Sequence, residues 1–384
     1  MHRMLHDCKR FAVVLCSVLG LSAFPACKGR HGEARATAIA TGLDHACALL
    51  DKGRAECWGL DERGRLGQRA KGAAADAGPE GGSASDAGLS SDAGLDAGTD
   101  GGLPPRVQRP AEVEGLDNVQ ALAAGAGFTC AILAAGKIRC WGDNSYGQLG
   151  SSAVKTGEYS TAPVTVGSVS GARSLAAGAT HSCALLQDGG VQCWGLDDAG
   201  QLGDAAHPVQ GATAVAVGAR HSCAVVQGGV VCWGDNSAGQ LGASDGNAMA
   251  PLSGATDVAA GGNESCALRS DGSVLCWGSL DPSCKVGCGQ APSQIQLTGP
   301  ATKLAVGPIE ACALLDAGSI ECWDMTRGPH LVKGVNRAKD LDIGGGFGCA
   351  VLADASVVCW GDNSTGQLGN GTTTKHSGLV PVPL

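Results

Sequence analysis

The sequence is short of aromatic side chains and of positive charge. A chain of 384 residues holds only 7 Trp, 2 Tyr and 4 Phe, and its 27 Lys and Arg are outnumbered by 36 Asp and Glu. The formal net charge of −9 argues against binding along a nucleic-acid backbone, which requires clustered cations. Strong helix formers are diluted by 62 Gly and 15 Pro, residues that disfavour helix interiors. These shortages argue against a helical bundle, a doubly wound α/β enzyme and a nucleic-acid-binding protein.

The chain is instead rich in small apolar residues and in cysteine. Apolar residues make up 44% and charged residues 16%, which permits a large buried core and rules out disorder throughout. The 19 cysteines are too many to be incidental, and because their number is odd they cannot all pair with one another.

The N-terminus has the pattern of an export signal. Basic residues precede the apolar run from Phe11 to Phe24, which is too short to span a bilayer. The sequence Phe24-Pro25-Ala26-Cys27 resembles a bacterial lipobox. We therefore predict a signal peptide over residues 1–26, lipidation of Cys27 and a short tether over residues 27–34. Cleavage without a lipid and an uncleaved anchor are the alternatives.

Export also accounts for part of the cysteine count. Removal of the signal peptide discards Cys8 and Cys16, and lipidation of Cys27 leaves 16 cysteines, an even number. The predicted location is the cell envelope, at the outer membrane or the cell surface, or the exterior after secretion. The lipid anchor would be the only contact with a membrane.

A repeat with the pattern G-x-x-[H/F/E]-x-C-A-x(7,8)-C-W organises the rest of the chain and occurs seven times. Its leading glycines are Gly42, Gly125, Gly178, Gly218, Gly261, Gly307 and Gly344. Its first cysteines are Cys47, Cys130, Cys183, Cys223, Cys266, Cys312 and Cys349, and its second cysteines are Cys57, Cys140, Cys193, Cys232, Cys276, Cys322 and Cys359. A glycine at the same position in every repeat indicates a turn with positive φ or close backbone packing.

Residues within one repeat alternate as in β-strands. The segment Ser182–Leu186 and the segment Val191–Trp194 flank a turn, which predicts a hairpin, and a strand ending at Gly178 precedes it. The earlier Pro163–Val166 adds a fourth strand, and seven such units make a propeller. The predicted fold is therefore all-β, a seven-bladed β-propeller of four-stranded antiparallel blades over residues 35–384.

Two further features concern the first repeat of this propeller. An Ala/Gly/Asp-rich insertion over residues 69–105 is predicted to be disordered, because it has little apolar surface to bury. The first repeat lacks a preceding Pro-Val strand, while the C-terminal segment Leu379–Leu384 has that composition. We therefore expect the N- and C-terminal strands to pair and close the ring, which would remove two open sheet edges.

The two cysteines of each repeat are expected to form a disulfide. Cys183 and Cys193 are symmetric about Asp188, and the tighter hairpin of Cys223 and Cys232 keeps its pair, so each pair can face across a hairpin at a separation that a disulfide accepts. Export supplies an oxidising compartment. Buried free thiols are the alternative, and zinc is disfavoured because its sites use more closely spaced cysteines.

The loops that follow Trp carry a recognisable sequence. They read GDNSYGQLG, GLDDAGQLG, GDNSAGQLG and GDNSTGQLG at Gly142–Gly150, Gly195–Gly203, Gly234–Gly242 and Gly361–Gly369. Together with the repeat they closely resemble the regulator of chromosome condensation (RCC1-like) repeat family, over about residues 35 to 384, and we expect an exported, bacterial-type member. The resemblance implies a seven-bladed propeller. It also implies protein binding, since eukaryotic members exchange nucleotide on a small GTPase and bind chromatin, and a secreted bacterial relative binds a beta-lactamase.

The residues of these loops, and the histidines, have a structural interpretation. Asn and Asp cap local amides, Gly permits tight bends, and the single Leu fills the space between sheets. His45, His181 and His221 share one repeat position with Phe and Glu, which indicates packing or hydrogen bonding rather than catalysis.

Two repeats depart from the loop consensus. The fifth carries Cys284 and Cys288, which are expected to form a local disulfide rather than a metal site. The sixth replaces the loop altogether. The candidate partner-binding residues are therefore Asp281, Lys285, Met325, Arg327 and His330. Neutral drift of exposed loops is the alternative.

The predicted function is that of a non-enzymatic scaffold. We expect a monomer that binds an unidentified protein partner through its loops, without cofactor, metal or nucleic acid. No nucleophile-base set or carboxylate pair recurs at a distinctive site. A carbohydrate-active or lyase-type propeller enzyme and a purely structural envelope component are the alternatives.

Overall fold

A computed structural model describes residues 34–68, 107–167, 169–205, 208–242, 252–280 and 291–384. Ala34–Leu384 form one compact unit. The predicted signal peptide, the insertion, Cys27, Asp281, Cys284, Lys285 and Cys288 lie outside the described residues. Among the residues that are described, no helix has the length and apolarity needed to cross a membrane.

The described residues form 26 strands. Blade 1 contains β1 Ala36–Thr41, β2 His45–Leu50, β3 Ala55–Leu60 and β4 Val107–Glu112; blade 2 contains β5 Ala121–Ala124, β6 Phe128–Ile132, β7 Ile138–Asp143 and β8 Tyr159–Thr165. Blade 3 contains β9 Ala172–Ala177, β10 His181–Leu186 and β11 Val191–Gly195; blade 4 contains β12 Ala212–Val217, β13 His221–Val226 and β14 Gly229–Gly234. Blade 5 contains β15 Ala255–Gly261, β16 Asn263–Arg269, β17 Val274–Ser279 and β18 Ser293–Ile295; blade 6 contains β19 Ala301–Val306, β20 Glu310–Leu315, β21 Ile320–Asp324 and β22 His330–Leu331. Blade 7 contains β23 Ala338–Ile343, β24 Phe347–Leu352, β25 Val357–Gly361 and β26 Val380–Val382, and short 3₁₀ turns occur at Asp51–Gly53 and Ala134–Gly136.

The strands form seven separate antiparallel sheets, so the predicted all-β, seven-bladed propeller is confirmed. The first strand of each blade lies innermost and packs against the first strand of the next, all the way round from β1 to β23 and back. Blades 3 and 4 show three strands each in the part of the chain that the structure describes, and the other five show four. Apolar clusters fill the spaces between neighbouring sheets rather than lying within one blade.

The central hairpin of each blade follows from its local sequence. In blade 3, Cys183 pairs with Cys193 and Ser182 with Trp194. The turn between them contains Gly189 at a φ of 83°, a conformation that favours glycine. Residues on one face of the hairpin are buried in the adjacent blade, which explains the alternation seen in the sequence.

The predicted closure by pairing of the terminal strands is wrong. The C-terminal strand β26 pairs with β25 of its own blade, with Val380 opposite Cys359. The fourth strand of each complete blade follows its hairpin along the chain instead of preceding it, so Pro163–Val166 belongs mostly to β8 of blade 2. Blade 1 obtains its fourth strand from β4, on the far side of the insertion. The prediction is wrong because a repeated pattern does not show where each blade begins, and because the insertion separates β4 from its hairpin in the sequence.

The ring closes through carboxylates and apolar packing between β1 and blade 7. The amide of Ile39 donates to Asp340 Oδ2 at 2.9 Å, and the amide of Thr41 donates to Asp342 Oδ2 at 2.7 Å. Lys303 of blade 6 forms an ion pair with Asp340. Burial raises the pKa of Asp342 to about 6, against the opposing charge of Lys303. Blades 6, 7 and 1 are therefore joined by one buried polar network.

Candidate functional site

The seven repeat glycines form a ring around the propeller axis. A Cβ added to Gly178 would lie 2.1 Å from the carbonyl oxygen of Gly218, and one on Gly344 would lie 2.3 Å from that of Gly42. None of the seven has a positive φ. Close approach of a neighbouring carbonyl, or of the aromatic ring three residues along as at Gly218, therefore requires glycine here rather than a special turn.

This ring marks one end of the propeller, which we call the glycine-ring face. The loops that follow each Trp lie at the same end, since the amide of Asp143 donates to Gly127 O and that of Asp362 to Gly346 O, both at 2.9 Å. A cavity of about 150 Å³ on the axis is lined by the ring glycines and their neighbours, mostly backbone and small apolar side chains.

The loops that end in Gln-Leu-Gly, or in Arg-Leu-Gly in blade 1, clamp five of the blades to the next blade. Five Trp side chains donate their Nε1–H to a carbonyl of the preceding blade's loop at 2.9 to 3.0 Å: Trp58 to Gln367, Trp141 to Arg65, Trp194 to Gln148, Trp233 to Gln201 and Trp277 to Gln240. The loop is held in shape from within, because Asn144 Oδ1 accepts from the amide of Leu149 and Gln148 donates to Asp143. The loop consensus thus serves the junctions between blades.

The three histidines of the repeat, His45, His181 and His221, each bridge two blades. His45 Nε2 lies 2.8 Å from Thr129 Oγ1, and His181 and His221 make the same contact to Ser222 and Ser265 at 2.9 and 2.8 Å. The Ser222 and Ser265 hydroxyls donate onward to carbonyls, so the imidazole Nε2–H is the donor to each of them. Burial lowers the pKa of His45 and His221 to about 3 and that of His181 to about 4. These histidines are neutral hydrogen-bonding links, not catalytic bases.

Glutamates take the histidine position in blades 5 and 6, where the next blade offers no hydroxyl. Ala311 and Gly348 stand where the histidine junctions have Thr129, Ser222 and Ser265. Burial raises the pKa of Glu264 to about 8, and its Oε2 has no hydrogen-bond partner. Burial raises the pKa of Glu310 as well. Each glutamate lies within 4.8 Å of two cysteine sulfurs, but those sulfurs are in a disulfide and lack the thiolate that a metal site requires.

The seven hairpin disulfides expected from the cysteine spacing are formed in the structure. They join Cys47–Cys57, Cys130–Cys140, Cys183–Cys193, Cys223–Cys232, Cys266–Cys276, Cys312–Cys322 and Cys349–Cys359. Their Cα atoms are 4.0 or 4.1 Å apart, across directly opposed strand positions. Each staples the second strand of a blade to its third.

The turn that follows the third strand of blade 6 differs from the corresponding turn of every other blade. In the six other blades a glycine follows Trp with a φ between 88° and 111°, whereas blade 6 has Asp324. Asp324 Oδ1 accepts from the amides of Thr326 and Arg327 and closes a short turn. Hydrogen bonding, first from the Thr326 side chain, lowers the pKa of Asp324 to about 2. The turn projects Met325, which is 61% exposed.

Exposed aliphatic side chains gather on the glycine-ring face over blades 6, 7 and 1. Ile309 is 48% exposed and precedes Glu310, the strand partner of Asp324, so it emerges beside Met325. Leu43 of blade 1 is 43% exposed. Between them lie Gly344–Gly346, since a Cβ on Gly346 would meet Ile309 Cδ1 at 3.6 Å and one on Gly345 would meet Leu43 Cδ1 at 2.7 Å. We call Leu43, Ile309, Met325 and Gly344–Gly346 the axial patch.

Carboxylates outnumber cations around this patch. Buried Arg65 pairs with Asp44 at 3.7 Å and Glu62 at 3.0 Å, and Arg327 pairs with Asp324 at 3.1 Å. Burial raises the pKa of Glu310, partly opposed by the charges of His330 and Arg327. Burial raises the pKa of Asp44, partly opposed by Arg65. The patch is thus an apolar surface with an acidic rim.

Comparison with known proteins identifies the family. The RCC1-like domain matches residues 19–384, most of the chain. The chain belongs to the RCC1-like domain family. Protein pim1 of Schizosaccharomyces pombe is 29% identical over 169 residues, which are 43% of this chain and 26% of pim1. The alignments cover a third or less of the curated relatives that head the comparison.

Solved structures share the RCC1-like fold. Human WBSCR16 superposes with a TM-score of 0.68 at 21% identity, covering 86% of this chain and 94% of that one. Prp20p of Saccharomyces cerevisiae superposes with a TM-score of 0.65 at 18% identity, covering 91% and 87%. Prp20p was described with its binding to Gsp1p and histones. At these identities the likeness concerns the fold.

The RCC1-like propeller brings together only some of the predicted binding residues. Met325 and Arg327 lie in the blade-6 turn, and His330 begins the adjacent outer strand β22, opposite Cys322. Leu43 and Ile309 were missed by sequence reasoning. A signal was available, because only the first and sixth repeats place a large aliphatic residue between the ring glycine and the His/Phe/Glu position.

Proposed function

We propose that this RCC1-like propeller is an exported, lipid-anchored scaffold that binds one protein partner through the axial patch. The observation that carries the proposal is the patch itself. Leu43 and Ile309 lie on either side of a loop of three glycines that leaves the surface open, and exposed Met325 follows Asp324, the strand partner of the residue after Ile309. Clustered exposed apolar side chains with a polar rim are typical of protein interfaces.

The rim defines the chemistry of the partner. Carboxylates around the patch and the chain's net charge of −9 favour an apolar tip flanked by Lys or Arg. Such a tip would place one aliphatic or aromatic side chain over Gly344–Gly346, between Leu43 and Ile309. The glycines offer backbone groups there and no side chain that would obstruct the approach.

The export part of the proposal rests on the N-terminal sequence and on the disulfides. Seven disulfides in the described chain favour an oxidising compartment. Cleavage after Ala26 and lipidation of Cys27 would tether a monomeric propeller to the envelope through residues 27–34. Metabolic labelling with palmitate tests this: the label should depend on Cys27, and label retained by Cys27→Ser would exclude lipidation at this residue.

The proposal excludes catalysis by the perturbed groups of this face. His45, His181, His221 and Glu264 are sealed in contacts between blades, with exposed fractions of 0 to 8%. A substrate could not reach them without separating the blades. Their unusual pKa values therefore reflect burial in the scaffold rather than a reaction.

Affinity capture from envelope extract of the native cells tests the partner proposal. The baits are the wild-type propeller, the double variant Ile309→Asp and Met325→Asp, and the control Tyr159→Asp, which changes an exposed residue of outer strand β8. One stoichiometric protein should bind the wild type and the control and be depleted at least about tenfold by the double variant. A partner that binds the folded double variant equally well, or no stoichiometric partner, overturns the proposal.

A further inference from the structure

One of the seven disulfides differs from the rest in its access to solvent. Of the fourteen hairpin cysteines, thirteen are at most 3% exposed, and Cys193 alone is only partly buried. Its partner Cys183 is fully buried. Cys193 lies on β11, the third strand of blade 3.

In the described chain, no outer strand pairs with β11 beside Cys193. In the four-stranded blades a residue of the outer strand stands opposite or beside the second cysteine, such as Val164 opposite Cys140 and Val380 opposite Cys359. In blade 3 the chain has only Asp204–Pro208 between the end of its loop and Val209. Val209 O accepts from Val191 N at 3.2 Å, at the far end of β11, and no described strand continues alongside Cys193.

Blade 4 shows that a short sheet is not enough to expose its disulfide. It also has three strands in the described chain, yet Cys232 is 3% exposed. Leu252 packs into the same apolar cluster as Cys232. A partly exposed cysteine is therefore particular to blade 3 among the described hairpins.

A cavity opens beside the exposed cysteine. It has a volume of about 740 Å³ and is lined by Cys193, Leu202, Trp233 and Asp197. Cys232 of blade 4 also lines it but is only 3% exposed, so Cys193 is the more accessible of the two cysteines. Ligand pockets have volumes of about 300 to 1,000 Å³. A small thiol, or the cysteine-bearing tip of a thiol protein, can therefore approach Cys193 Sγ from this side.

We propose that Cys183–Cys193 is a thiol–disulfide exchange site for a low-molecular-weight thiol or dithiol. The incoming thiolate attacks Cys193 Sγ, the bond between the two cysteines breaks, and its electron pair leaves on Cys183 Sγ. The products are a mixed disulfide on Cys193 and a thiolate on Cys183. A second thiolate attacks the mixed disulfide, so that two reagent thiols are oxidised to their disulfide while the protein disulfide gains two electrons and the two thiol protons.

The surroundings favour attack at Cys193 and departure of Cys183. Ser222 Oγ lies 3.5 Å from Cys183 Sγ, close enough for its hydroxyl to turn and donate to the thiolate. Hydrogen bonding of this kind stabilises a leaving thiolate. The Cys130–Cys140 disulfide of blade 2 serves as the comparison, because its second cysteine, Cys140, is fully buried under β8.

Graded reduction of the native protein tests the proposal. Folded protein is treated with increasing dithiothreitol, quenched with acid and alkylated with N-ethylmaleimide, and each cysteine is read by peptide mass spectrometry. Cys183 and Cys193 should be labelled at a reductant concentration at least about tenfold below that needed for Cys130 and Cys140, because attack requires access to the sulfur. Simultaneous labelling of the two pairs, or earlier labelling of Cys130 and Cys140, overturns it.

Two matched variants give a second readout. Cys183→Ser leaves Cys193 unpaired, and Cys130→Ser leaves Cys140 unpaired at the equivalent place under an outer strand. Oxidised glutathione is the probe: Cys193 should acquire the glutathione adduct in the folded protein, and Cys140 only in urea. Equal rates for the two cysteines, or an adduct on Cys193 that also requires urea, contradict the proposal. If a variant fails to fold, the wild-type titration decides.

Discussion

In the part of the chain that the structure describes, a Trp hydrogen bond clamps five of the seven junctions between blades and is missing at the other two. At the clamped junctions a Trp donates to a loop carbonyl of the preceding blade, as Trp194 does to Gln148. At the junction of blades 5 and 6, Trp323 is as deeply buried, but its Nε1 has no partner among the residues that the structure describes. Trp360 follows blade 6, whose short turn carries no Gln-Leu-Gly sequence.

The comparison separates two uses of the same fold. Clamped blades have the Asp, Asn and Gln side chains of their loops directed inward, to hold the loop and the next blade. Blade 6 gives up the clamp, and its turn carries an exposed Met325 beside Ile309. Loss of a scaffold contact and gain of an apolar surface therefore occur at the same place.

Substitution of a ring glycine should have the largest effect on stability. The Cβ of Gly178→Ala would lie 2.1 Å from a backbone oxygen, so we expect a loss of about 3 kcal/mol or more. Gly307→Ala in blade 6 is the matched control, because its Cβ would meet a backbone oxygen only at 2.9 Å and its nearest contact is the Ile343 side chain at 2.7 Å. That side chain can move, and the loss should be about 1 kcal/mol. Equal losses in chemical denaturation would refute this distinction.

Removal of the Trp hydrogen bond should separate clamped from unclamped junctions. Trp194→Phe loses the bond to Gln148 O and leaves that carbonyl unsatisfied, whereas Trp323→Phe removes a buried donor that has no partner. Both variants lose similar volume. Trp194→Phe should therefore cost about 1 to 2 kcal/mol more than Trp323→Phe. Denaturant midpoints measure the difference, and an equal cost would mean that the clamp adds nothing.

The pH dependence of stability should also differ between the two regions. The folded pKa of Glu264 is about 8, above the ordinary 4.5, so the folded state binds more protons between these values. Stability should therefore fall as pH rises from 6 to 8, by about 1 kcal/mol per pH unit, and level off above 8. Glu264→Gln removes this slope and is the control. A wild type and variant with parallel pH profiles would show that Glu264 is ionised when folded.

The histidines of the clamped region should act in the opposite sense. Their folded pKa values of about 3 to 4 lie below the ordinary 6.5, so the unfolded chain binds more protons in between. Their contribution is present above pH 6.5 and is lost as pH falls toward 4. His181→Phe should reduce the acid-side loss of stability in denaturant titrations at pH 5 and pH 7, and an unchanged difference between the two pH values would argue against a neutral buried imidazole.

The smallest effect on stability is expected in the axial patch. Met325→Ser changes an exposed side chain and should alter the free energy of unfolding by less than about 0.5 kcal/mol. The same variant should weaken binding to the captured partner by about tenfold, measured by titration. Tyr159→Ser, exposed on the outer strand of a clamped blade, should change neither quantity. An unaffected affinity for Met325→Ser would place the interface elsewhere.

Short-range features of this propeller are predictable because their geometry is local. Cys183 and Cys193 are ten residues apart on one hairpin, so their register follows from the turn between them. Seven copies of that hairpin give the number of blades, and their glycines indicate a crowded position. The sequence does not distinguish a positive φ from close packing at these glycines, because the carbonyl that Gly178 meets belongs to the next repeat.

The amino-acid sequence by itself thus determined the repeat, the strands, the seven staples and the family, since all of these rest on contacts within about fifty residues. The tertiary structure decided which strand belongs to which blade, because a repeated pattern has no marked start and β4 lies beyond the insertion. It also decided where the candidate surfaces lie. Leu43 and Ile309 come to lie on either side of Gly344–Gly346 only when the ring closes, through the amides of β1 and the carboxylates of Asp340 and Asp342. The partial exposure of Cys193 likewise depends on its neighbours in space, since no outer strand covers it in the described chain.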